Sequence, residues 1–178
     1  MKYHFAPSNN FYRLFVNILD LFNGKNLEKE KLARIIATGG GLGFLPKAPG
    51  TWGAIGAVAF YALFGPYLNA LLQSLIAIVL ILSGIWASEI YAQKKDKDPQ
   101  EVVIDEIAGQ WLTLVSFNIS PLNLILGFFF FRLFDIWKPL PIKLGEKLPG
   151  GIGIMMDDIL AGIAANLCLR FINQFLLS

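Results

Sequence analysis

"NALLQSLIAIVLILSGIWAS", residues 69–88, runs for 20 residues without a charge. A helix needs about 20 apolar residues to cross the hydrocarbon core of a bilayer, and an uncharged run of roughly 18 already reads as a span. Further uncharged runs lie on both sides: Trp52 to Leu68, Ile107 to Phe131, and Ile159 to Leu169, the last continuing to Ser178 past a single Arg170. Over the 178 residues, 55% are hydrophobic and 16% charged, and the mean hydropathy is +0.56. That is too apolar for an ordinary soluble domain.

Two interruptions divide these runs. Gly65-Pro66 suits a turn between the first two spans, and "SFNISPLN" at 116–123 supplies a capping serine, asparagines and a proline in the middle of the third run. The expected fold is all-α, a polytopic membrane helical bundle of about four to five membrane helices, each half of the broken run being short for a full crossing. Residues 1–37 differ in kind. "NNFYRLFVNILDLFNGKN" and "LEKEKLARIIATGG" mix charge with apolar residues at helical spacing, as amphipathic helices at the interface do. No basic start followed by an apolar core and a small-residue cleavage site marks a signal peptide.

Charge sorts the ends of the spans. With Gly65-Pro66 and 116–121 on one side of the membrane, that side carries no charge; the other receives the amino-terminal region and the loops 92–103 and 138–153 with their lysines. Positive loops are cytoplasmic, so that face is expected to be the cytoplasmic one. The formal net charge of +2 is too small to suggest a nucleic-acid partner. Cys168 stands alone in an apolar run, which excludes an intrachain disulfide, and the lone His4 lies near the terminus.

This topology brings acids from distant parts of the chain to one depth. Asp105 and Glu106 open the third span, Asp135 closes the fourth, and Asp157 and Asp158 open the fifth. Carboxylates gathered at one interface repel one another unless a cation is present. An oxygen-only donor set without histidine or thiolate favours Mg2+ over zinc or copper. In "FFFFRLFDIWKP" (128–139), Arg132, Asp135 and Lys138 stand at i, i+3 and i+6 of a helix flank. Asp135 can hold metal there while Arg132 and Lys138 attract an anion. The plainer reading of the triplet alone is an ion pair that caps the span end; the acidic doublets nearby tip the balance towards a site. Glu89 and Glu146 are further candidate ligands or bases, whereas "DKDP" at 96–99 reads as a solvated loop.

Two glycine-rich segments, "TGGGLGFLPKAPGTWG" (38–53) and "LPGGIGIMMDD" (148–158), match neither nucleotide-binding pattern. Both read as loops with tight turns and close backbone approach. In the first, Lys47 and Thr51 would suit a cradle for phosphate.

The blocks "LPKAPGTWG", "VIDEIAGQWLT", "FFRLFDIWKPLPI" and "GGIGIMMDDILAG", in this order over residues 38–162, together resemble the phosphatidylglycerophosphatase A family. The chain is expected to form a single membrane-embedded phosphatase domain over 1–178; the resemblance, which does not reach the helix before residue 30, implies a place in the bacterial inner membrane. Such an enzyme would be Mg2+-dependent and remove the terminal phosphate of phosphatidylglycerophosphate. Asp105, Glu106, Asp135, Asp157 and Asp158 would then hold the metal and, with Lys138, form the catalytic set; Arg132 and Lys138, with Lys47 and Thr51, would bind the substrate phosphate. The active site would face the cytoplasm.

A rival from another class is a non-catalytic magnesium- or lipid-headgroup-binding membrane protein of transporter type. It would spread its acids across the depth of the membrane, whereas here they gather at one face. A CDP-alcohol phosphotransferase would need an Asp-Gly-x-x-Ala-Arg pattern, which the chain lacks. Nothing in the sequence sets an oligomeric state.

Overall fold

The computed structural model describes residues 27–92 and 99–175. The amphipathic stretch 9–26, His4 and residues 93–98 of the basic loop lie outside them, as does the Glu146 side chain. The described residues form helices and turns without a strand: α1 (27–37), α2 (Pro49–Phe64), α3 (Ala70–Ala92), α4 (Ile104–Leu114), α5 (Pro121–Trp137) and α6 (Gly150–Phe175), with 3-10 turns at Gly39–Phe44, Gly65–Tyr67 and Ile142–Lys147.

The breaks fall where turn chemistry put them. Pro49 opens α2 in the first turn, where its missing N–H costs nothing. The Gly65–Tyr67 turn separates α2 from α3. Between α4 and α5, Ser116 takes a positive φ of 68°, and the Ser120 side chain accepts a hydrogen bond of 3.1 Å from the Asn123 N–H while Pro121 starts the helix.

At this end of the bundle a polar knot ties the turns together. Gln73 accepts from the Tyr61 hydroxyl (3.1 Å) and the Ser116 N–H (2.7 Å), and donates to the carbonyls of Gly65 (3.3 Å) and Leu68 (3.1 Å). Trp111 Nε1 donates to the Gln73 carbonyl at 3.0 Å. Its members satisfy one another, so this buried network holds the hairpins at fixed angles.

α4 and α6 are the central pair. A Cβ on Gly109 would stand 2.5 Å from the Asp158 carbonyl oxygen, and one on Gly162 would meet the Gly109 carbonyl. Small residues at a crossing let two backbones approach closely. This crossing brings Asp158 beside the acidic first turn of α4.

Among the described residues two helices, α3 with 23 residues and α6 with 26, are long and apolar enough to cross a membrane. On α3 the large apolar residues Leu71, Leu75, Ile78 and Leu82 form an exposed stripe at helical spacing, as a lipid-facing surface requires. α4 has only 11 residues, and its Trp111 and Leu114 are buried among its neighbours.

Two local expectations need correction. The segment 148–158 is not a loop up to Asp157: α6 begins at Gly150, so the aspartates lie two turns inside the helix. The glycines there are demanded by packing, since a Cβ on Gly151 would meet the Ile85 carbonyl. Lys138, in turn, is not on the flank of Arg132 and Asp135. α5 stops at Trp137, and Lys138 caps it in the left-handed conformation at φ 45°.

Candidate active site

Three helices deliver the carboxylates. α4 carries Asp105 and Glu106 in its first turn, α5 carries Asp135 in its last, and α6 carries Asp157 and Asp158. All five line one cavity of about 1110 Å³, together with Lys138, Glu89, Lys147 and the Ala48–Gly50 backbone at the start of α2. Oxygen atoms of Asp105, Glu106 and Asp158 lie within 4.8 Å of one another. The carboxylate of Asp105 is close enough to that of Glu106, and that of Asp158 to that of Asp135, for the charges to repel. Two carboxylates at such range must share a proton or a cation.

Two of the cations near the acids are already engaged. Arg132 pairs with Asp135 along α5, and the reversal at Lys138 swings its Nζ to 2.5 Å from Asp157 Oδ2 on α6. Asp105, Glu106 and Asp157 each keep a buried carboxylate oxygen without a hydrogen-bond partner. Buried anionic oxygens of this kind are expensive unless something positive meets them. An oxygen-only donor set of this geometry fits a hard divalent cation such as Mg2+.

The sequence-derived set therefore divides. Asp105, Glu106, Asp135, Asp157, Asp158 and Lys138 come together around the cavity, and Arg132 stands behind Asp135. Lys47 and Thr51 are not among the lining residues; Ala48, Pro49 and Gly50 between them are. Gly50 is required there, because a Cβ would collide with Glu106 Oε1. Glu89 gains a definite role: it accepts a 2.6 Å hydrogen bond from the Gly151 N–H and so anchors the amino end of α6 to α3. Its signal in the sequence is its position as the lone charge on an apolar helix. Lys147 was not singled out; only the 3-10 turn at Ile142–Lys147 carries it to the cavity.

The fold and the site together define a helical protein with membrane-type apolar helices and a pocket of several carboxylates and lysines at one end. A family model described as phosphatidylglycerophosphatase A matches residues 35–173, and the chain belongs to that family. It is 42% identical over 141 residues to a putative phosphatidylinositol-3-phosphatase of Bacteroides thetaiotaomicron, covering 72% of this chain and 86% of the relative. It is 36% identical over 143 residues to phosphatidylglycerophosphatase A of Escherichia coli strain K12 (79% and 83% covered). Against phosphatidylglycerophosphatase A of Haemophilus influenzae the identity is 32% over 154 residues (80% and 90%). No solved structure matches the chain. Relatives named as phosphatases do not favour the transporter-like reading.

Proposed function

We propose that the protein hydrolyses the terminal phosphate monoester of phosphatidylglycerophosphate, giving phosphatidylglycerol and phosphate, in glycerophospholipid synthesis at the bacterial inner membrane. The observation that carries this reading is the convergence of carboxylates from three helices, with Lys138, on one cavity in a chain of this family. Asp105, Glu106 and Asp158 would hold Mg2+, with Asp135 and Asp157 completing its surroundings. When bound, the cation offsets the charge on the phosphate and activates the attacking water. Lys138 stabilises the charge that spreads over the phosphoryl oxygens, Arg132 keeps Asp135 aimed into the cavity, and a carboxylate of the cluster takes the proton of the water. The water oxygen bonds to phosphorus as the phosphorus–oxygen bond to glycerol breaks, and the proton taken by the carboxylate passes to the departing oxygen.

Phosphate release from phosphatidylglycerophosphate by the purified protein tests this. Release is expected with Mg2+, to vanish in excess chelator, and to return when Mg2+ is restored. Full activity in chelator would remove the cation from the mechanism. Phosphatidylinositol 3-phosphate belongs in the same assay because of the Bacteroides relative's name. Slower turnover is expected on it, and the reverse order would move the substrate assignment to that lipid.

The finer topology is four to five spans with the cavity at the cytoplasmic face, supported by the lysines in the loops at 92–103 and 138–153. Single cysteines placed at Glu101 and Lys143, in a Cys168→Ser background, are expected to resist an impermeant thiol reagent in intact cells. One at Asn118 is expected to react. Labelling with the opposite pattern would invert the orientation.

A further inference from the structure

Gln110 is completely buried, at 0% exposure, and neither its Oε1 nor its Nε2 has a hydrogen-bond partner. The buried polar side chains that follow it on α4 are satisfied: Trp111 bonds the Gln73 carbonyl, and Thr113 bonds the Gly109 carbonyl at 2.9 Å. A primary amide unpaired at both ends is a costly occupant of a core that a methionine or leucine would fill. Its place on the helix suggests what the amide serves. Gln110 lies four residues after Glu106, hence on the same face one turn deeper. Helical side chains lean towards the amino end, which on α4 is the side of the turn that carries Asp105 and Glu106. Glu106 Oε2 is also buried and also lacks a partner. One face of α4 thus carries an unmatched donor and an unmatched acceptor a turn apart.

We infer that Gln110 is a positioning residue for the carboxylate cluster. Its amide N–H serves Glu106, through one water across the intervening turn, and fixes that carboxylate in the orientation in which the cluster takes a divalent cation. This rests on the cation reading given above. Groups that orient a metal ligand from behind commonly change affinity by about 10- to 100-fold when removed.

The test is a Mn2+ titration of the full-length protein in detergent, with the free ion followed by electron paramagnetic resonance, beside thermal unfolding in chelator. Gln110→Met and Gln110→Leu are expected to unfold in chelator at or above the wild-type midpoint, because they replace a buried amide that has no direct protein partner with an apolar side chain. Their Mn2+ Kd is expected to rise about tenfold or more. In a Glu106→Gln background, Gln110→Met is expected to weaken binding no further, since the amide acts through Glu106. Wild-type affinity in both variants would overturn the proposal, as would a full additional loss in the Glu106→Gln background. Unfolding of both variants in chelator would assign Gln110 to the scaffold instead. A wild-type protein that takes up no Mn2+ would fail the cation reading itself, a result distinct from the other three.

Discussion

Asp158→Asn is expected to lower turnover by about a thousandfold while making the cation-free protein more stable. Asp158 is 2% exposed, feels the charge of Asp135, and stands within 4.8 Å of oxygens of Asp105 and Glu106. The amide keeps the shape of the side chain and removes one negative charge from the group that would hold Mg2+. A loss of about 4 kcal/mol in transition-state stabilisation corresponds to that factor in rate. Without a cation the same charge is a liability, because buried carboxylates repel one another and have lost their water. Relieving it should contribute about 1 kcal/mol, a rise of roughly 2–4 °C in Tm for a chain of this size. The opposite signs are the point of the measurement, made by phosphate release with Mg2+ and by thermal unfolding in chelator. A fall in both would make Asp158 a structural residue, and unchanged turnover would take it out of the site.

Asp158 also illustrates what the sequence could and could not reveal. Acidic doublets at the ends of apolar runs are visible in one dimension, because a charge near membrane depth needs a reason. The break between α4 and α5 was equally visible, since Ser120 and Pro121 are local signals. The start of α6 was hidden, because glycine's low helix propensity argues for a loop at 150–153 while the demand for close packing comes from Ile85, 66 residues earlier than Gly151. The Gln73 knot was hidden for the same reason: a lone glutamine in an apolar run gives no hint of partners at Tyr61 and Ser116. Lys138 was a misreading that its neighbour could have prevented. Pro139 disfavours helical geometry in the residue before it, so the helix was bound to end before Lys138.

That reversal at Lys138 changes what its substitution should do. With Nζ at 2.5 Å from Asp157 Oδ2, the lysine has a structural partner, and an effect of Lys138→Met alone could come from a buried aspartate left without its counter-charge. Breaking such a pair from one side costs about 3–5 kcal/mol of stability, so the single variant is expected to be poorly folded. Asp157→Asn removes the counter-charge problem and provides the background in which Lys138 can be judged. In that background Lys138→Met is expected to fold normally and still to lose about a further hundredfold in kcat, the size of effect seen when one charge-stabilising donor is withdrawn from a transition state. The comparison is between Asp157→Asn and Asp157→Asn/Lys138→Met, by phosphate release at saturating substrate and by thermal unfolding. If the two turn over equally, the sole task of Lys138 is to hold Asp157, and the phosphate must find its positive charge elsewhere in the cavity, where Lys147 is the remaining lysine on the lining.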